Sequence, residues 1–95
     1  CYKEAGADGV FVPGLTDYDA MAAIAKEMGL PLNVLGTADL DYECAASAGV
    51  KRISVGSLPI RYVLTRLKSL CVEVLESKQF SSFEGIMTYQ DLVCP

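Results

Sequence analysis

Two periods run along the chain. Short unbroken apolar runs occur at "GVFVP" (9–13) and "LPLNVL" (30–35), the pattern of strands covered on both faces. A third run, "VKRISV" (50–55), alternates in part, which predicts a strand with one face less deeply covered. Between and after these runs the apolar residues recur at the helical period. Met21, Ile24, Ala25 and Met28 form one stripe and predict a helix over 17–28. Leu40, Cys44 and Ala48 predict a second over 39–48. Ile60, Val63, Leu64, Leu67, Leu70, Cys71, Val74 and Leu75 predict the longest, over 58–77, and a short terminal helix over 89–93 follows "FSSF".

Start and stop signals fit these limits. Thr16 with Asp19 reads as a capping pair, as does Thr88 with Asp91. Thr37 or Asp39 serves the second helix, and Ser57 the third, where Pro59 suits the first helical turn. Gly6, Gly29 and Gly49 stop helices at intervals of about twenty residues. "EAGADGVFVPGLTD" and "SAGVKRISVGSLPI" are thus one phrase used twice: helix end, strand, helix start. Strands alternating with helices imply an α/β fold with a parallel sheet and right-handed crossovers. An eight-unit (β/α)8 barrel takes about 250 residues, so three units correspond to its last three βα units. A doubly wound sheet has the same local pattern and is the alternative.

Composition narrows the classes. With 52% hydrophobic residues the chain is expected to fold as one small domain, and a net charge of −4 gives no footprint for nucleic acid or an anionic membrane. No apolar run reaches the roughly 20 residues a membrane span needs. There is no histidine, and Cys1, Cys44, Cys71 and Cys94 lack zinc-site spacing. Cys44 and Cys71 fall on apolar stripes and are expected as small core residues in a reducing cytoplasm. The chain opens at Cys1 as if a helix were already under way, and it reads as a fragment with its beginning upstream.

In either fold ligands bind at the carboxyl ends of the strands. That places Pro13 and Gly14 after the first strand, Gly36 and Thr37 after the second, and Gly56 and Ser57 after the third. A glycine followed by a hydroxyl at a helix start can receive an anion, though the same residues also serve as ordinary turns and caps. Asn33 is a polar residue inside an apolar strand, where it must bond a substrate, a neighbouring strand or buried water. Asp8, Lys51 and Arg52 belong to the opposite end, and Arg61 sits in the first turn of the long helix, where positive charge opposes the helix dipole. No nucleophile stands beside a base and no acidic cluster occupies the strand ends, so no catalytic residue is assigned within the chain.

Taken together, "EAGADGVFVPGL", "LPLNVL", "AGVKRISVGSLPIR" and the long helix ending in "ESKQF" resemble the carboxyl-terminal part of the isocitrate lyase/phosphoenolpyruvate mutase family, closest to its phosphonomutase-like members. The resemblance covers nearly the whole chain. It implies a TIM-type barrel enzyme that cleaves or forms C–C or P–C bonds in small 2-oxo or 2-hydroxy acids, in the manner of 2-methylisocitrate lyase. It implies Mg held by acidic residues upstream of Cys1, so that the fragment alone is inactive. It implies a small carboxylate as substrate and a homo-oligomer, a tetramer, made by exchanging the long helix at 58–77. Among the candidates it assigns Asn33 to the substrate, and it makes the Pro13–Gly14 position one that sets substrate choice. A phosphate-binding barrel using Gly36, Thr37, Gly56 and Ser57, and a non-catalytic chain that only assembles, are the alternatives.

Overall fold

A computed structural model describes residues 2–93. In chain order it contains β1 (Val10–Val12), α1 (Tyr18–Met28), β2 (Leu32–Leu35), α2 (Tyr42–Ser47), β3 (Val50–Ser54), α3 (Leu58–Ser77), a 3-10 turn at Ser81–Phe83 and α4 (Tyr89–Val93). The chain divides into two compact units, 1–58 and 59–95. None of the residues of α3 is buried.

The first unit is a three-stranded parallel sheet in the order β1-β2-β3. Period-two alternation sends Leu32 and Val34 of β2 to one face, where they join Met21, Ala45 and Val50 as the core. Val12, Leu15, Tyr18, Ile24, Ala25, Leu40, Ala48 and Ile53 pack around it. The α1 stripe read from the sequence is therefore the buried one: Met21 has no exposed surface, and Ile24, Ala25 and Met28 are half-buried. In β3 the register slips between Leu32 and Asn33, so Leu32 pairs with Val50 but Asn33 pairs with Arg52. That irregularity lets Val50 and Ile53, three residues apart, both serve the core.

Several boundaries differ from expectation. Asp17, rather than Thr16, caps α1, its carboxylate accepting from the Ala20 N–H at 2.7 Å. Asp41, rather than Thr37 or Asp39, caps α2, accepting from the Cys44 N–H at 2.7 Å. Residues 37–40 instead make a turn, closed by the Leu40 N–H on the Thr37 carbonyl, which shortens the helix. Ser57 precedes α3 in a turn. A longer strand over 9–13 is likewise cut to Val10–Val12, because Pro13 and Gly14 turn the chain and the Leu15 N–H bonds the Val12 carbonyl.

Cys44 and Cys71 are both exposed, against the expectation that they fill the core. On α2 the inward position is taken by Ala45, one residue on, because the cap at Asp41 starts the helix later than the apolar stripe suggested. Cys1 and Cys94 lie outside the described residues. In the second unit the Thr88 hydroxyl accepts from the Asp91 N–H at 3.1 Å while the Asp91 carboxylate accepts from the Thr88 N–H at 3.2 Å, a reciprocal cap for α4.

Candidate functional site

Because the strands are parallel, all three carboxyl ends lie along one edge of the sheet. Each end closes by the same device, a hydrogen bond from the fourth residue of a turn to the first. Leu15 bonds Val12 at 3.3 Å, Leu40 bonds Thr37 at 3.3 Å and Leu58 bonds Val55 at 3.0 Å. Pro13 and Gly14 form the middle of the first turn and Gly56 and Ser57 the middle of the third, all four exposed. Gly36 is buried, and its N–H is already donated to the Ser54 carbonyl at 2.8 Å. A Cβ at Gly36 would lie 3.2 Å from Ile53 Cγ2, so the glycine serves close packing of β2 on β3. Thr37 is half-buried, and its hydroxyl is the main cause holding the Asp39 carboxyl below its ordinary value. The group read as an anion cradle is thus partly engaged: one amide goes to a neighbouring strand and one hydroxyl to a carboxylate.

Asn33 is the buried polar side chain of the sheet, 9% exposed. It points to the face opposite α1 and α2. There its Nδ2 donates to Ser54 Oγ at 3.0 Å, and its Oδ1 accepts from the same hydroxyl at 3.2 Å. The choice foreseen for Asn33 included a neighbouring strand's backbone; the partner within the chain is that strand's side chain. Among the described residues no buried side-chain nitrogen or oxygen lacks a partner.

The same face carries Phe11, half exposed, paired in register with Asn33, which is in turn paired with Arg52. These three residues line a groove of about 370 Å³ together with Asp8 and Pro31. Ser54 and Arg52 were missed as site residues. Ser54 ends β3 rather than following it, and the slip that turns Arg52 to this face leaves no trace in the residue types. A second opening of about 570 Å³ lies at the amino ends of the strands, lined by Lys26, Gly29, Gly49 and Lys51. It contains none of the predicted site residues. Arg61 belongs to the second unit, where its carbonyl accepts from the Thr65 hydroxyl at 2.8 Å.

Electrostatic perturbations are confined to caps and turns. Asp41 lies below its ordinary value because its charged form accepts from the Cys44 N–H, and the same carboxylate pushes the Cys44 thiol up. Among the described residues no three His, Cys, Asp or Glu side chains are grouped to hold a metal ion. No helix among them is long and apolar enough to cross a membrane.

The phosphoenolpyruvate phosphomutase family model matches residues 1–75. Two uncharacterised proteins of Mycobacterium tuberculosis, MT2054 of strain CDC 1551 / Oshkosh and Rv1998c of strain ATCC 25618 / H37Rv, are each 41% identical over 58 residues. That stretch is 61% of this chain and 22% of either relative. Among solved structures, a candidate lyase/mutase from Burkholderia cenocepacia J2315 superposes with a TM-score of 0.85 at 32% identity, over 97% of this chain and 34% of that one. A candidate phosphonomutase from the same strain gives 0.67 at 38% identity, over 76% of this chain and 30% of that one. The chain therefore matches about a fifth of the curated relatives' length and about a third of the structural neighbours'.

Proposed function

Since the chain belongs to the isocitrate lyase/phosphoenolpyruvate mutase family, we propose that it supplies the last three βα units of a (β/α)8 barrel lyase or mutase acting on a small 2-oxo or 2-hydroxy acid. The observation that carries this reading is the superposition over 97% of the chain on about a third of a lyase/mutase, close to the share that three of eight repeats would occupy. The reaction proposed is cleavage or formation of a C–C or P–C bond, with 2-methylisocitrate-like substrates first in order. Asn33 offers its amide to the substrate's carboxylate or 2-oxo oxygen from the face opposite α1 and α2. Pro13 and Gly14, in an exposed turn at the same sheet edge, shape the entrance. Gly56 and Ser57 border it.

Mg is part of this reading, but this chain's residues do not fit it. No group of three potential ligands comes together among the described residues, so the proposed ligands are acidic residues on strands outside these 95. What this chain's side chains do is hold and orient the substrate, and the 95 residues alone are proposed to be inactive. The partner proposed for α3 is a second copy of the protein. Ile60, Val63, Leu64, Leu67 and Leu75 are each more than half exposed on it, which supports a helix that packs on another subunit. A cytoplasmic location goes with this reading.

The test uses the protein carrying the complete barrel. It is incubated with Mg and either 2-methylisocitrate or phosphoenolpyruvate, following 2-oxo acid release in the first case and the 31P signal of a P–C product in the second. Turnover of either supports the reading. Neither reaction, in a protein shown to be folded and assembled, refutes it. The phosphate-binding alternative is less favoured because the Gly36 N–H it needs is spent on Ser54.

A further inference from the structure

Asn33 and Ser54 make a part-buried polar pair. Two apolar residues of similar shape would hold adjacent strands together at least as well, since a buried hydrogen-bonded pair contributes little net stability over an apolar one. The chain instead places an amide and a hydroxyl on the face that α1 and α2 leave uncovered. The Ser54 hydroxyl carries one proton and two lone pairs, so it can meet the donor end and the acceptor end of one amide. Both contacts, at 3.0 and 3.2 Å, go to the same amide group. They occupy one N–H of Nδ2 and one lone pair of Oδ1. The second N–H and the second lone pair are directed away from Ser54 and have no other hydrogen bond among the described residues.

We propose that Ser54 is a positioning residue, whose hydroxyl holds the plane of the Asn33 amide so that its remaining donor and acceptor meet the substrate's carboxylate or 2-oxo oxygen. This rests on the reading of Asn33 as a substrate contact. The hydroxyl suits the task better than a charged group. A carboxylate would fix only the N–H end, and an ammonium only the oxygen end, whereas serine serves either end by turning its proton. The amide plane is fixed, and the ligand selects which end it meets. Ser54 is the last residue of β3, beside the turn at Val55–Leu58, so its own backbone is fixed by strand pairing with Leu35 and by the Gly36 N–H on its carbonyl.

The proposal is tested in the protein carrying the complete barrel, with oxalate as probe, because its planar dianion matches the enolate of a 2-oxo acid. Affinity is measured calorimetrically in the presence of Mg for S54T, S54V, N33A and the N33A/S54V double variant. Thr and Val have the same shape and differ only in the hydroxyl, so packing effects cancel between them. S54V is expected to weaken oxalate about tenfold and S54T to bind within about twofold of the parent, the scale of one hydrogen-bonding contact. In the N33A background S54V is expected to cost less than about twofold, because a residue acting through another has nothing left to position. The proposal is overturned if S54V binds like the parent, if S54T fails to rescue, or if S54V costs as much with N33A as without it. If the parent does not bind oxalate, or N33A binds it unchanged, the reading of Asn33 falls first and takes this proposal with it.

Discussion

Gly6 and Gly49 allow a test in which the backbone strain is matched and only the packing differs. Both end the Ala-Gly step of the repeated phrase, and both hold positive φ, +88° and +89°. An alanine at either position pays the left-handed penalty of about 1–2 kcal/mol. Against this stands a gain of about 0.4–1 kcal/mol from a stiffer unfolded chain. The surroundings then separate them. A Cβ on Gly6 would meet nothing within 4 Å, whereas on Gly49 it would lie 3.1 Å from the Ala25 Cβ of α1. Methyl contacts are most favourable near 3.5–4.0 Å, and alanine has no rotamer by which to retreat. Either α1 or the Ala48–Val50 corner must shift, at about 1–3 kcal/mol for overpacking. G6A should therefore cost about 1 kcal/mol and G49A about 2–4 kcal/mol. In urea unfolding, a difference of about 2 kcal/mol moves the midpoint by about 1 M at typical slopes. Equal midpoints for the two variants would refute the claim that Gly49 is held by contact with α1.

Met21, fully buried among Leu32, Val34, Ala45 and Val50, should cost about 2–5 kcal/mol as M21A, read from the same unfolding curves; a loss under 1 kcal/mol would contradict its place in the core. Cys44 should be alkylated by iodoacetamide in the native state, as mapped by peptide mass, because it is exposed; its raised pKa, caused mainly by the Asp41 carboxylate, should make that labelling slower at neutral pH than in a D41N variant. Asp41 and Asp91 are both held below their ordinary values, by the Cys44 N–H and by Thr88 respectively. Their caps therefore contribute above the unfolded carboxylate value and fade as pH falls through the lower folded one, so amide exchange in α2 and α4 should quicken below about pH 4. Exchange in D41N and D91N that keeps the full acid sensitivity would count against this assignment.

The parts of the fold legible in the sequence are those with strong periodicity. The α1 stripe, the glycine after Met28 and the extent of α3 are all visible as spacing, because a helical face repeats over many residues. What stayed hidden depends on single local bonds. Thr16 and Asp17 are equally good caps by type, and only the turn at Val12–Leu15 decides that Asp17 reaches the Ala20 N–H. Cys44 falls on an apolar stripe only for a helix that begins at 39. Starting the helix after Asp41 moves Ala45 inward instead. At the site, Asn33 was legible as an interruption in an apolar run. Ser54 was not, because a serine at a strand end is an ordinary residue and its meaning comes only from facing Asn33 across the ladder.

The register slip in β3 connects the fold to the chemistry. Without it, strict alternation from Val50 would keep Arg52 on the core side with α1 and α2, where its charge would be buried without a partner at great cost. The slip returns Ile53 to the core and sends Arg52 and Ser54 to the other face, beside Asn33. An aromatic, an amide and a guanidinium then lie in one row across three strands, Phe11, Asn33 and Arg52. Parallel sheets are normally covered on both faces, so in the proposed barrel this row faces inward. A guanidinium there requires a carboxylate, and the described residues of the groove supply only Asp8, at the amino end of β1. The barrel reading therefore demands either that Asp8 turn to Arg52 or that a facing strand bring an acidic side chain to it. Both outcomes place an ion pair below Asn33, with the Asn33–Ser54 pair between that ion pair and the open strand ends.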